Sequence, residues 1–520
     1  MFVSSHLKSY PWLMTISAGV GVVSALAFQP YALWPLYFVL PAFWYLAATE
    51  LSGARAATAL WIASTVHYAI GTHWIAVGMT SVGGVTALGA GITWLLISVI
   101  IGAEIALFGL ILRAPCPRAL RPALAALAWA WNEYVRESAI EGFPWLNMAD
   151  ALVDSPLLGW LPILGGTMTG ALLVLLQTAC IEGFREKNWR SAVVGGKRLT
   201  ACAVVLGAGQ WAGHYTTAPS SQSALVGALH TSRPSREGWS SRLVNEQIER
   251  LTASSAAALR PGLKLLVWPE TAIPVPSDRI EPFLERSRQV LSQNNTTLVF
   301  GSNELVRSGA TTTEFNAAQA VNPRGTYFKR KLVPVGEYQP FPMLNPLLKR
   351  PTGESFDSFT AGPAAQPLLQ TAAGPALVAL CYEVAFAQVL LNTKDATSAK
   401  LLLVLTNDDW FAKTSMPEQH DAVVRLRARE LGLPTIHATN GGITSIINSN
   451  GAPLASISGA ISKVVTADIR LPDKLSPFAR SGGTWHYLII CTLVVVFLGV
   501  VTSILTRPPR FFKRRRDSAP

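Results

Sequence analysis

Leu401-Leu402-Leu403-Val404-Leu405 is an apolar run without polar alternation. A strand with one wet face alternates polar and apolar residues, whereas a strand covered on both faces reads as a continuous hydrophobic stretch. The run therefore predicts a doubly covered strand. Other short β-like runs lie around it, at Ala224–Leu229, Leu263–Trp268, Thr297–Gly301, Ala376–Cys381 and Thr435–Thr439. Helix-like segments at Ser241–Ala258, Arg279–Gln293 and Glu418–Leu431 alternate with them. This order predicts an α/β domain over residues 216–480 with its sheet buried between helices.

The chain outside that domain has a different character. Of 520 residues, 50% are hydrophobic and only 14% are charged. The apolar residues concentrate before residue 216 and again at Tyr487–Leu505. Crossing a bilayer takes a helix of about 20 apolar residues. Spans are expected at 11–28, 31–49, 56–78, 85–112, 119–136, 157–181, 198–214 and 486–506. The first resembles a signal peptide in length, but further apolar segments follow at once and no cleavage site ends it, so it reads as a retained helix. The expected organisation is a transmembrane domain at 1–215 with about seven helices, a soluble domain at 216–480, a transmembrane helix at 481–506 and a basic tail at 507–520.

The net charge of +12 invites a nucleic-acid reading, which its placement opposes. With the N-terminus inside, the loop carrying Arg113, Arg118 and Arg121 is cytoplasmic, as are the loop with Arg185, Lys187, Arg190, Lys197 and Arg198 and the arginine-rich tail. The intervening outer loops at 79–84 and 137–156 carry no basic residue. This asymmetry is the positive-inside pattern, and it places the soluble domain outside the cytoplasm. Ionisable residues look few within the spans, which speaks against a transporter.

In the soluble domain Cys381 is the one cysteine away from the apolar segments. A lone thiol makes no disulfide within its domain, so it is either a small core residue or a nucleophile, and a nucleophile needs a partner to take its proton. Glu270 follows a β-like run and is either a strand-end carboxylate or a solvated loop acid. Lys329 is either a placed cation or part of an exposed charged face with Arg330 and Lys331, and Glu337 suits a turn. His420 and His437 stand apart in sequence and read as structural, and the chain has no Cys/His cluster with metal-ligand spacing and no glycine-rich phosphate loop.

Taken together these segments resemble the carbon–nitrogen hydrolase (nitrilase) superfamily, whose members carry a Glu, Lys, Cys triad in this order. The flanking blocks narrow the resemblance to the membrane branch, the apolipoprotein N-acyltransferases. They are Trp268-Pro269-Glu270-Thr271-Ala272-Ile273-Pro274, Lys329 to Glu337, Cys381-Tyr382-Glu383, Thr406 to Phe411, Ala438 to Ile443 and, in the membrane part, Gly142-Phe143-Pro144-Trp145-Leu146. The resemblance implies an α-β-β-α sandwich on the outer face of the bacterial inner membrane, both termini cytoplasmic, a monomer, and no cofactor or metal. It implies Glu270 as general base, Cys381 as nucleophile and Lys329 as stabiliser of thiolate and oxyanion; Lys329 rather than Lys331 matches, because it lies eight residues before Glu337. Glu337 would orient Lys329, the Tyr382 N–H would help bind the oxyanion, and Glu383 would support the site from behind. Trp239 matches a lid residue over the acyl pocket, or else simply packs at a helix start. The implied reaction moves an acyl chain from a phospholipid through a Cys381 thioester to the α-amino group of a diacylglyceryl-cysteine on a lipoprotein.

Some blocks depart from the family pattern: Val226 to Ser232 replaces a Gln-Gly-Asn-Ile-Pro-like turn, Ala412 follows Trp410-Phe411, and Met416-Pro417-Glu418-Gln419-His420 stands for Gly-Pro-Trp-Gln-His. These changes leave open a paralogous acyltransferase, such as those encoded with conjugation functions, or an amidase with water as acceptor. A non-catalytic membrane scaffold is the reading from another class.

Overall fold

The computed structural model describes residues 10–81, 85–139, 141–185, 189–216, 221–232, 241–256, 258–308, 311–339, 359–411 and 413–483, and Thr492. Trp239, the basic tail and all but Thr492 of the segment expected to span at 486–506 lie outside these residues.

The N-terminal part is helical: α1 (Tyr10–Ala25), α2 (Val39–Glu50), α3 (Gly53–Gly71), α4 (Trp74–Ser81), α5 (Ala87–Leu110), α6 (Arg121–Ser138), α7 (Leu161–Phe184) and α8 (Trp189–Thr216). The stretch 56–78, expected as one span, is broken between Gly71 and Trp74 into α3 and α4. Among the described residues, three helical stretches, Ala87–Arg113, Leu158–Phe184 and Ala192–Thr216, are long and apolar enough to cross a membrane. The basic loops gather at one end of this bundle. Arg113 donates to the Ala48 and Leu51 carbonyls at 3.1 and 2.6 Å, Arg118 Nε lies 2.8 Å from Glu182, and Arg185 pairs with Glu50 and Glu182.

The bundle is more polar inside than its sequence suggests. Glu133 and Arg136 on α6 are 1% and 6% exposed, and Asp150 is 9% exposed. Glu133 accepts from Trp129 Nε1 at 3.1 Å and from the Met148 N–H at 3.0 Å. Arg136 pairs with Asn147 and lies over the Tyr68 ring. These groups are legible only in three dimensions, because each pairs with a residue from another turn or element. Buried charge in such a place persists only when partnered, and here the partners are Trp129 on α6, Tyr68 on α3 and the Asn147–Met148 segment.

From Ser223 onward the chain forms two sheets. Strands β1 (Ser223–His230), β2 (Leu263–Val267), β3 (Thr297–Ser308), β4 (Thr311–Val321), β5 (Gly325–Phe328) and β11 (Lys463–Arg470) make one, in the order β11-β1-β2-β3-β4-β5. Strands β6 (Ala376–Leu380), β7 (Leu401–Asn407), β8 (Thr435–Asn440), β9 (Ile443–Ile447) and β10 (Pro453–Ser458) make the other, in the order β10-β9-β8-β7-β6. Pairing is parallel for β1–β2–β3 and β6–β7–β8, and antiparallel towards the hairpin edges.

Side chains on a strand alternate between faces, and the apolar runs show where each face goes. Leu401, Leu403, Leu405, Val378 and Leu380 meet Val226, Leu265 and Val299 between the sheets. Their neighbours Leu402, Val404, Leu377 and Ala379 turn outward into a second core. That core includes Val423, Val424 and Leu431 of helix α11 (Met416–Leu431) and continues into Trp74, Trp145 and Leu146 of the helical part. The first sheet is covered by α9 (Ser241–Ala256) and α10 (Glu281–Gln293), with Leu251, Leu284 and Leu291 packed on Leu266, Leu298 and Phe300. The layers are therefore helix, sheet, sheet, helix, and the last helix layer is wedged against the membrane-type bundle.

Candidate active site

Three of the predicted residues occupy strand ends. Cys381 directly follows β6, Lys329 directly follows β5, and Glu270 lies just beyond β2. Parallel strands bring their C-terminal ends to one edge of a sheet, so groups distant in sequence converge there. The two sheets face each other and share that edge.

Lys329 is the centre of the arrangement. Its Nζ lies 3.0 Å from Glu270 Oε1 and 2.9 Å from Glu337 Oε1, and the side chain is 1% exposed. Asn316 on β4 donates to both carboxylates at 2.8 Å, and its backbone carbonyl accepts from the Lys329 N–H at 2.8 Å. The remaining oxygens are also satisfied: Glu270 Oε2 by the Asn407 N–H at 3.1 Å and Glu337 Oε2 by the Val333 N–H at 2.7 Å. A solvated loop acid and an exposed lysine are thus excluded for Glu270 and Lys329. Asn316 escaped sequence reading, because a single amide inside a strand carries no local signal.

The backbone is held in unusual shapes at these points. Cys381, Thr271 and Val335 have φ of +51°, +51° and +66°. Left-handed backbone disfavours a side chain, most of all the β-branched Thr271 and Val335, at a cost of about 1–3 kcal/mol each. Surrounding contacts hold them there. Gly301 on β3 is one: a Cβ on it would stand 2.3 Å from the Thr271 nitrogen and 2.6 Å from the Glu270 Cα. Only glycine lets β3 run so close behind Glu270.

Glu383 is fully buried and ties the turn bearing Cys381 to the segment after β5. It accepts from the Leu380 N–H at 2.8 Å, the Arg330 N–H at 2.7 Å, the Lys331 N–H at 3.1 Å and the Tyr327 hydroxyl at 3.1 Å. Tyr382 points elsewhere: its hydroxyl donates to the Gly142 carbonyl of the helical part at 2.8 Å. Lys331 sits at the rim, 3.7 Å from Glu141 and over the Phe386 ring. His420, expected to be structural, lies fully buried with Nδ1 3.0 Å from Asp408 Oδ1.

The electrostatics follow from burial. Burial pushes the Cys381 thiol well above its ordinary value; Glu270, Asp408 and Glu337 add to this, and Lys329 opposes it. Burial also raises Glu270, with Glu337 adding and Lys329 opposing. For Lys329 burial pulls down, but Glu270 and Glu337 outweigh it and hold the ammonium well above the usual lysine value. Burial thus disfavours a free thiolate at Cys381, while the neighbouring glutamates favour the ammonium form of Lys329. Passing the thiol proton to Glu270 changes no net charge inside the site, which is the only inexpensive way to form a thiolate in a buried place.

A carbon–nitrogen hydrolase fold set on a bundle of apolar helices is the class this architecture defines. The carbon-nitrogen hydrolase family model matches residues 237–474, and the apolipoprotein N-acyltransferase N-terminal domain matches residues 20–179. The apolipoprotein N-acyltransferase of Pseudomonas syringae pv. tomato is 30% identical over 92% of this chain and 95% of its own. Those of Haemophilus ducreyi and Pseudomonas putida are 28% and 30% identical, over 91% and 93% of this chain and 93% and 95% of theirs. The chain belongs to the apolipoprotein N-acyltransferase family.

Proposed function

We propose that the protein transfers a fatty acyl chain from a membrane phospholipid to the α-amino group of the diacylglyceryl-cysteine that begins a lipoprotein. Kinship along nearly the whole chain supports the acyltransferase reading, since both the helical and the catalytic parts match one family. The single observation that carries the chemistry is Lys329 held between Glu270 and Glu337, with Cys381 on the adjoining strand end.

In the first half-reaction Glu270 takes the Cys381 proton as the sulfur attacks the ester carbonyl. Lys329 and the Tyr382 N–H stabilise the oxyanion. Collapse gives a thioester and releases the lysophospholipid, whose alkoxide takes the proton back from Glu270. In the second half-reaction the lipoprotein amine attacks the thioester, Glu270 accepts the amine proton, and the thiol is restored. Glu337 and Asn316 keep Lys329 and Glu270 aligned, and Glu383 fixes the turn that presents the sulfur. Splitting the transfer through a covalent intermediate lets two bulky lipids use one site in turn.

The proposed setting is the bacterial inner membrane. The transmembrane domain would be 1–215, the catalytic domain 216–480 on the periplasmic face, a last span 481–506, and the tail 507–520 cytoplasmic with the N-terminus. The clustering of basic loops at the bundle end away from the sandwich supports that sidedness. We propose a monomer, with Trp239 as a lid residue and no cofactor.

The test is intact-mass analysis of the purified protein after incubation with phospholipid. An acyl adduct on Cys381 that a diacylated lipopeptide discharges is the expected result. An adduct that forms but is discharged by water alone would replace this reading with an amidase.

A further inference from the structure

The turn that carries Cys381 is held from behind by an arginine that the reaction above does not use. Residues Cys381–Ala385 form one short helical turn after β6. The last carbonyls of a helical turn have no partner within it. Arg427 on α11 supplies partners here: its Nε donates to the Val384 carbonyl and its Nη2 to the Ala385 carbonyl, both at 3.0 Å. Its third arm, Nη1, pairs with Glu430 one turn along the same helix. Both side chains are buried. Glu430 carries the connection into the bundle, because its Oε1 accepts from the Gly166 N–H at 2.6 Å. Gly166 follows Gly165, whose φ of +76° breaks the helical backbone inside α7. The helix that resumes there leaves its first N–H groups without helical partners, and Glu430 takes one of them. A Cβ on Gly165 would stand 2.4 Å from the Phe478 ring, so the break is open to glycine alone.

We propose that Arg427 is a positioning residue for Cys381, and that through Glu430 it makes the placement of the sulfur depend on the break in α7 of the membrane bundle. The route runs from the Gly166 N–H to Glu430, to Arg427, to the Val384 and Ala385 carbonyls and so to the turn of Cys381. Arginine suits the task better than another cation, because its planar fork presents several N–H groups in fixed directions. Here the fork serves two carbonyls and a carboxylate at once. Lysine brings the charge without the fork. The turn needs such a hold, because Cys381 has a φ of +51°, a backbone shape that a side chain disfavours. The inference rests on Cys381 as the nucleophile of the proposed transfer, and adds what keeps it in place.

The experiment uses the full-length protein in detergent. Arg427→Ala is expected to lower kcat for acyl-enzyme formation by about 100-fold with little change in KM, as when a reacting group shifts by about 1 Å. Arg427→Lys and Glu430→Gln, which disturb the interior less, are each expected to lower it at least tenfold. A cavity of about 30 Å³ adjoins the guanidinium and is bounded also by Glu137, Asn147, Asp150 and Glu430, so truncation opens room for a small ion. Guanidinium chloride below denaturing concentrations is expected to restore at least tenfold in rate to Arg427→Ala, whereas urea, of similar shape without the charge, restores none. Hydrogen exchange of the peptide containing Cys381–Ala385, read by mass spectrometry without lipid, is expected to quicken at least tenfold in Arg427→Ala. Gly165→Ala should slow acylation in the parent and add little to Arg427→Ala, because its effect passes through that side chain. Unchanged exchange at the turn, equal rescue by urea, a change in KM alone, or additive effects of Gly165→Ala and Arg427→Ala would overturn the proposal. A parent that forms no acyl-enzyme would sink the transfer reading, and the exchange measurement would still decide whether Arg427 holds the turn.

Discussion

Lys329 is buried between two carboxylates and has no access to water as an alternative partner. Removing one member of such a cluster leaves an uncompensated buried charge, at about 3–5 kcal/mol. Lys329→Met is therefore expected to abolish acyl-enzyme formation and also to lower the melting temperature; a variant as stable as the parent would contradict the geometry. Cys381→Ser should lose the acyl adduct by mass spectrometry, while Cys202→Ser, 3.5 Å from Cys180 within the bundle, keeps it. The pH dependence has a definite sign. Glu270 must be ionised to accept a proton, and burial raises its pKa. Acylation should therefore fail on acidification at a pH above the ordinary glutamate value of about 4.3. Lys329 stays protonated throughout, because it is held above the usual lysine range. Rapid-quench measurement of acyl-enzyme formation checks this, and a rate that is flat down to pH ~4 would refute it. At this scale the sequence was ambiguous one residue at a time. Glu270, Lys329 and Glu337 each had an ordinary alternative, and Asn316 offered no signal. Their roles became readable only as a set in a fixed order.

At the scale of elements, the site depends on strands ending at the same edge. Gly301 shows how tightly this is tuned, since its Cα passes directly behind Glu270. Gly301→Val should displace Glu270, lowering kcat for acylation by about 100-fold or more with little change in KM, as expected when positioned groups shift by about 1 Å. An unchanged kcat, with or without a rise in KM, would mean that β3 does not position the base. Leu403, fully buried between the sheets, should cost about 2–5 kcal/mol when changed to alanine, measured by thermal or denaturant unfolding. The doubly covered strands β1, β2, β6 and β7 were legible because burial on both faces removes most polar residues, and β8 because the β-branched Thr435, Ile436 and Thr439 favour a strand. Strands β4, β5 and β9 to β11 were not. β4 carries Glu314, Asn316 and Gln319, of which Asn316 faces the site and Gln319 accepts from Thr326 on β5, and β10 is largely exposed at a sheet edge. Polar demands at those positions erase the hydrophobic pattern on which strand reading rests.

For the whole molecule, the junction between bundle and sandwich is polar at its centre. Gln419 on α11 accepts from Trp74 Nε1 at 3.1 Å and Trp145 Nε1 at 2.8 Å, and donates to the Gly71 carbonyl at 3.1 Å. Its neighbour His420 is the residue that pairs with Asp408 beside the thiol. Gln419→Leu leaves two buried indole N–H groups and a carbonyl without partners, at about 1–3 kcal/mol each. The expected outcome is a lower melting temperature together with slower acylation; loss of neither would show that Gln419 does not hold the two parts together. Within the sandwich, Arg427 ties α11 to the nucleophile turn, donating to the Val384 and Ala385 carbonyls at 3.0 Å.

Membrane helices, the α/β domain and the Glu, Lys, Cys order were all present in the linear chain. Hydrophobic length and periodicity are local quantities, and the order of motifs survives without any coordinates. The clamp of Asn316 on both carboxylates, the approach of Gly301 to Glu270, the Asp408–His420 pair and the seating of Gln419 between Trp74 and Trp145 belong to the folded state alone. Each joins residues far apart in sequence through distances of about 3 Å, and such distances exist only after the sheets and helices have packed. The thiol at 381 was visible from the start; the charges that govern its proton came from the packing around it.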